Sequence, residues 1–358
     1  MKILFLYRYG ILGGVCTQLF HRFRHLPVDE KVEIHCGFRS DHGVHKMLSP
    51  YATLHFGLNK ETLISFLQVN HFDKIIIIDT EEYIEAIREV KPDSTIIIEV
   101  HTSIERNLEY LSRIEETDID AFVTVSKYMI ERIQHHVRPE LLDMKIERFQ
   151  NVLDTDVFSF EEIRSDGPPV IAWVGKIDDH KDWRAFMQIS SIVHKQNPEV
   201  EFWIIGGQTC PESLVLEVFN FAEEMEIIGR FRWIDRIENV MMSKLYSLVS
   251  LRGGMNLVTS HCESFGMSVL ESLLSGCSVI SSKVGALPEI TPVEKHFKLY
   301  ELHDYEEAAR MCLDTLAEST AIRASLLDIR SKLVEEYSSE IRSTEYWNLI
   351  QSLGEKNE

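Results

Sequence analysis

Glu263 and Glu271 are separated by seven residues, and between them Phe265-Gly266-Met267 opens a helix whose apolar face is Val269, Leu270, Leu273 and Leu274. A helix N-terminus presents free amides and the positive end of the helix dipole, which suits a diphosphate. Gly266 lets the backbone approach a ligand closely. Glu271 falls one turn beyond Met267 on the same face, within reach of a ribose hydroxyl pair. Glu263, in the loop before the helix, could reach a sugar hydroxyl on the far side of such phosphates. Taken alone, two glutamates flanking a helix read more simply as a cap and a solvated side chain.

A second constellation is Gly175-Lys176-Ile177-Asp178-Asp179-His180-Lys181, directly after the apolar run Val170–Val174. Two lysines five apart on a strand-to-helix loop sit where open α/β sheets bind ligands, and they would neutralise a leaving diphosphate without a metal. On so acidic a chain, loop lysines also serve solubility alone. Gly13-Gly14 follows the first apolar run, and His101 ends Thr95–Val100. A glycine pair fits any tight turn, and a lone histidine is commonly a hydrogen-bonded structural residue. No G-x-G-x-x-G or P-loop pattern occurs, which argues against simple dinucleotide and NTPase readings. His21 and His25 share a helix face but lack the glutamate of H-E-x-x-H, so no metal site is expected there.

The elements that must position these residues form two sets. Ile3–Tyr7, Lys74–Ile78, Thr95–Val100 and Ala121–Val125 read as buried parallel strands. Val170–Val174, Glu201–Ile205, Phe231–Ile234, Asn256–Thr259 and Ser278–Ser281 follow. Helix-length patterns lie between them, at Tyr83–Val90, Lys127–His135, Trp183–Lys195 and Pro211–Met225. Alternating strand and helix predicts an α/β, doubly wound fold, and two successive sets predict two such domains. The turn-rich stretch 159–169 reads as the linker, and the tail from Asp304 to Leu353 as helix without strands. The 358 residues agree, at roughly 150 per domain.

Composition narrows the function classes. With 44% hydrophobic and 26% charged residues the chain is globular, and 37 basic against 57 acidic side chains give a net charge of −20. That charge repels phosphate backbones, so nucleic acid is not an expected partner. Residues 1–48 are the exception, with seven Lys/Arg and four Asp/Glu. Within them, 15–26 (VCTQLFHRFRHL) set Leu19, Phe20, Phe23 and Leu26 near one helix face with His21, Arg22, Arg24 and His25 around it. Such a helix suits an anionic lipid surface or anionic acceptor; a packed helix with a basic rim is the plainer expectation. The six cysteines show no C-x-x-C, and no apolar run approaches the ~18 residues of a membrane span. The expected location is cytoplasmic, with peripheral membrane contact through 15–26 as the alternative.

Several ordered pieces together resemble the retaining family-4 glycosyltransferases. GGV follows the first strand, His101 ends another, and Val125-Ser126 precedes a helix. Asn151-Val152-Leu153-Asp154 with Phe158 resembles the family's junction motif. VGKIDDHK, IIGG at 204–207, Glu-x7-Glu with FGMSVLE, and SGCSVISSKVGALPEI follow in order. The resemblance implies a GT-B architecture, two Rossmann-like domains facing each other across a cleft. It implies an acceptor-binding domain over 1–158, joined by a C-terminal helix at about 340–358, and a donor-binding domain over 159–339. It implies that Lys176 and Lys181 hold the donor diphosphate, that Glu263 meets the sugar and Glu271 the ribose. Ser264, Phe265, Gly266 and Met267 would line the sugar and phosphates, Gly13 and Gly14 the phosphate, and His101 the transferred sugar and acceptor.

Three departures stand out: Lys176 where the family usually has arginine, Asn151-Val152 without the usual glycine, and apparent extra sequence at 251–255. Lysine keeps the charge but loses the bidentate fork. The expected reaction is metal-independent, retaining transfer of a hexose from a nucleotide-diphosphate sugar such as a UDP-sugar. The acceptor is a saccharide, lipid-linked or other hydroxyl, in cell-surface polysaccharide or glycoconjugate synthesis; no cofactor is expected. A non-catalytic GT-B partner subunit and a GT-B nucleotide-sugar epimerase are the alternatives.

Overall fold

The computed structural model describes residues 1–27, 31–207, 210–290 and 295–354. The chain divides into two compact units, Met1–Leu153 with Tyr337–Glu358, and Asp154–Glu336.

In the first unit the strands are β1 (Lys2–Tyr7), β2 (Glu33–Phe38), β3 (Thr53–Phe56), β4 (Lys74–Ile78), β5 (Thr95–Val100), β6 (Ala121–Thr124) and β7 (Ile146–Arg148), of which β1, β4, β5 and β6 are the four expected apolar runs. All pair in parallel, in the order β3-β2-β1-β4-β5-β6-β7. The central strands are buried along their whole length: every residue of β4 is, and β5 is open only at Thr95. A parallel sheet covered on both faces demands such continuous β-branched runs. A short ribbon, Tyr9–Ile11 beside Ser40–His42, extends the loops after β1 and β2.

The second unit repeats the plan. Strands β8 (Val170–Val174), β9 (Glu201–Ile205), β10 (Phe231–Ile234), β11 (Met255–Val258), β12 (Val279–Ser282) and β13 (Phe297–Tyr300) are parallel in the order β10-β9-β8-β11-β12-β13. Its core gathers Trp173, Trp183, Phe186, Phe202, Leu257 and Ile280. In both sheets the strand order reverses beside the first strand, between β1 and β4 and between β8 and β11. Doubly wound sheets bind ligands at the carboxyl ends of such a pair.

The division falls at Leu153/Asp154, ahead of the 158/159 border expected from sequence. The physical reason is local. Asp154 Oδ1 accepts the amides of Asp156 and Val157 at 3.2 and 3.1 Å. The amides of Ser159 and Glu161 then donate to Ser243 Oγ and Ser247 Oγ, each at 3.0 Å, along the helix Asn239–Leu251. The turn-rich segment is thus fastened to the second unit. In residues 251–255, Gly253, at φ +74°, follows the end of that helix, and Gly254 lies against β8, where a Cβ would meet the Val170 carbonyl oxygen at 1.7 Å.

The helix Ser339–Ser352 packs in the first unit on the helix Gly14–His25. Buried Lys74 of β4 donates to the carbonyls of Ile350 and Gln351, each at 2.6 Å, and to that of Leu353, caring for the orphan acceptors of the helix's last turn. The helix Gly14–His25 buries Leu19 and Phe23, and also His21 and Arg22. Half of the apolar face and half of the basic rim that suggested a lipid surface are therefore spent inside the unit, while Phe20 and Leu26 are partly buried. No helix among the described residues is long and apolar enough to cross a membrane.

Candidate active site

In the second unit the loops after β8 and β11 meet. Lys181 Nζ donates to Glu263 Oε1 at 2.6 Å, and Ser260 Oγ donates to the same oxygen at 2.6 Å. Their side chains are 26% and 12% exposed. Burial would raise the Glu263 carboxyl, but the Lys181 charge and these two hydrogen bonds hold it below its ordinary value, so it is ionised at neutral pH.

The two loops are locked by small contacts. Thr259 Oγ1 donates toward the carbonyls of Lys181 and Asp182 at 3.0 and 2.8 Å and accepts from Trp173 Nε1 at 2.9 Å. The Lys181 amide donates to Asp178 Oδ1 at 2.9 Å, and the His261 amide to the His180 carbonyl at 2.9 Å. Asp182, at φ +48°, caps the helix Trp183–Gln196 by accepting from the Ala185 amide. The IIGG segment has a steric reason: a Cβ on Gly206, at φ +115°, would lie 2.2 Å from the Gly175 carbonyl oxygen. Lys176 is exposed and has no ion-pair partner among the described residues.

The helix Met267–Leu274 starts where expected. Gly266, at φ +95°, precedes it with no side-chain cap, and the amides of Val269 and Leu270 donate back to the Gly266 carbonyl at 3.1 and 3.2 Å. Phe265 and Gly266 are buried, Ser264 and Met267 partly so. Val269, Leu270, Leu273 and Leu274 are fully buried, and Gly276, at φ +75°, ends the helix. Glu271 is 7% exposed and its carboxylate has no hydrogen-bond partner among the described residues; burial alone pushes it up to about 8. It is therefore a neutral acid at pH 7, able both to donate to and accept from a diol.

In the first unit, Gly13 has extended backbone and Gly14, exposed, opens the helix Gly14–His25; a Cβ on Gly14 would meet nothing within 4 Å. His101 leaves the end of β5 with both its backbone and ring held. Asp79 Oδ1 accepts the amides of His101 and Thr102 at 2.7 and 3.0 Å, and His101 Nε2 lies 2.6 Å from Glu99 Oε1. Glu99 is fully buried and takes a bidentate fork from Arg22, at 2.8 and 3.2 Å, plus the Tyr346 hydroxyl at 3.0 Å. Sequence reasoning gave Glu99, Tyr346 and Ser260 no role and read Arg22 only as part of a basic rim. The one visible signal was a lone acidic residue inside the apolar run TIIIEV.

The fold is similar to that of the Anabaena protein Alr3699/HepE, solved with UDP and glucose, at a TM-score of 0.80 and 16% identity over 99% of this chain and 100% of that one. This is the GT-B fold. Residues 168–318 match the family model of glycosyl transferases group 1. Among curated relatives, the D-inositol 3-phosphate glycosyltransferase of Corynebacterium glutamicum is 26% identical over 121 residues, 33% of this chain and 28% of that protein. The gpi3 subunit of the phosphatidylinositol N-acetylglucosaminyltransferase of Schizosaccharomyces pombe is 29% identical over 156 residues, 42% of this chain and 29% of that protein. The matched stretch spans less than a third of each relative. No group of three or more His, Cys, Asp or Glu among the described residues is placed to hold a metal ion.

Proposed function

We propose that this GT-B chain is a retaining hexosyltransferase that takes its sugar from a UDP-sugar and passes it to an acceptor hydroxyl of a saccharide, lipid-linked saccharide or related glycoconjugate. The observation that carries the reading is the 2.6 Å pair of Lys181 and Glu263 at the carboxyl ends of β8 and β11, in the loops just ahead of the helices Trp183–Gln196 and Met267–Leu274. A positive side chain and an ionised carboxylate meet where a doubly wound sheet receives its ligand.

In this reading Lys176 and Lys181 neutralise the charge that develops on the diphosphate as the bond from the anomeric carbon to phosphate breaks. Glu263 orients Lys181 and accepts from a hydroxyl of the sugar, and Glu271, a neutral acid, serves the ribose. Phe265, Gly266 and Met267 bring backbone to the sugar and phosphates. The acceptor oxygen bonds the anomeric carbon on the face the diphosphate leaves, and its proton passes to the departing phosphate oxygen. Positioning and charge carry the rate, with no divalent metal and no covalent sugar-enzyme stage. Gly13, Gly14 and His101 are assigned to the phosphate and sugar from the first unit, which would recognise the acceptor.

The test is UDP release from UDP-glucose and UDP-N-acetylglucosamine with and without a panel of sugar and lipid-linked acceptors. Acceptor-dependent release with an α-linked product, read by NMR coupling at the anomeric proton, is expected. Undiminished turnover by Glu263→Ala would sink the assignment.

A further inference from the structure

All four lone-pair positions of Glu99 are occupied. Oε1 faces Arg22 Nη2 and His101 Nε2, and Oε2 faces Arg22 Nη1 and the Tyr346 hydroxyl, at 2.8, 2.6, 3.2 and 3.0 Å. Arg22 and Glu99 are fully buried, and the guanidinium lies in the corner made by the Phe149 and Tyr346 rings, 4.6 and 3.9 Å from their centroids. Burying an ion pair gains little stability over apolar residues of the same volume. What this one does secure is geometry, because a forked guanidinium fixes the plane of a carboxylate.

The ring it fixes is that of His101. Arg22 keeps the Glu99 carboxyl ionised against burial, so Glu99 only accepts, and the nitrogen facing it must bear the hydrogen. In a neutral imidazole the other nitrogen is then an acceptor. Nδ1 has no partner among the described residues, while the His101 backbone is pinned by Asp79, itself at φ +54°. Strain and a buried charge pair are thus concentrated on the placement of one ring.

We propose that Glu99, clamped by Arg22 and Tyr346, is a positioning residue that holds His101 in its Nε2–H tautomer and presents Nδ1 to a substrate hydroxyl. This rests on the reading of His101 as a residue that meets the sugar or acceptor.

The test combines imidazole 15N NMR of the full chain with kcat and KM for UDP-glucose. Glu99→Leu removes both oxygens, so Nε2 loses the acceptor that fixes its hydrogen. The expected result is loss of the Nε2–H tautomer and a fall in kcat of roughly 10–100-fold, with KM changed by less than about threefold. Because Glu99→Leu leaves Arg22 buried without its carboxylate, Arg22→Met/Glu99→Leu/Tyr346→Phe is the second variant. It removes the guanidinium, the carboxylate and the hydroxyl together, so no unpaired charge is left behind while the ring is freed, and the same losses are expected. Either variant, folded by circular dichroism, keeping the wild-type tautomer and kcat would overturn the proposal. Full turnover by His101→Ala would instead count against His101 as a substrate-facing residue; the tautomer measurement would still decide the role of Glu99.

Discussion

Gly285 lies against the backbone of Glu263: a Cβ at Gly285 would sit 2.2 Å from the Glu263 carbonyl oxygen, and that oxygen accepts the Ala286 amide at 2.8 Å. The glycine is at φ +54°, which adds strain to any side chain placed there. Gly285→Ala is therefore expected to move the Glu263 loop and to cost about 1–3 kcal/mol in stability. Calorimetry of UDP binding should show the loss even at temperatures where the variant is folded.

The two lysines separate stability from binding. Lys181→Met strips the partly buried Glu263 of its charge partner, and about 1–3 kcal/mol should go with it at pH 7. Since the wild-type carboxyl is held below its ordinary value, the stabilisation it contributes is present above about pH 4.5 and is lost as pH falls through the folded value. The difference in denaturant midpoint between wild type and Lys181→Met should shrink accordingly in acid. Lys176→Met, at an exposed position, should leave the midpoint unchanged and lower UDP-sugar turnover roughly 100-fold.

Glu271 titrates with the opposite sign. Its folded value of about 8 lies above that of an unfolded glutamate, so unfolding releases a proton between these limits and stability falls as pH rises through them. Glu271→Gln keeps the shape and removes the charge. Thermal melts should find the variant close to wild type near pH 4 and more stable at pH 9, by on the order of 2–4 kcal/mol. A constant difference across that range would contradict the assignment.

Gly14→Ala isolates the ligand from the fold. The added methyl meets nothing within 4 Å, and alanine at a helix start lowers the entropy of the unfolded chain. The melting temperature should hold or rise slightly. If the loop approaches a phosphate, UDP-sugar turnover should nonetheless drop at least about tenfold; equal turnover would remove Gly14 from the site.

The sequence made the buried strands legible because a parallel sheet needs unbroken Ile and Val, as in Lys74–Ile78, and the loops after them follow from topology. Edge strands such as Thr53–Phe56 escaped notice because a half-buried edge does not require an apolar run. The Lys181–Glu263 neighbourhood could be anticipated from motif order, but its distance could not, since it depends on Gly206, Gly285 and Thr259 acting at separate points of the chain. Arg22 read as part of a basic rim because charge seen along one helix says nothing of a carboxylate waiting in a strand. The domain border was misplaced for a similar reason: Gly-Pro-Pro marks a turn, whereas Ser243 and Ser247 decide which body that turn belongs to.

The helix Ser339–Ser352 gives the first unit a delayed completion. Residues 154–336 form one contiguous unit and can leave the ribosome whole, but Tyr346 and the carbonyls that receive Lys74 are translated only afterwards. At about 5–20 residues per second, the wait is on the order of 10–40 s. Throughout it, Lys74 lies in a nascent sheet without the carbonyls that receive it, and Glu99 has Arg22 and His101 but not yet the Tyr346 hydroxyl. Of the two units, the one begun earlier is the one finished later.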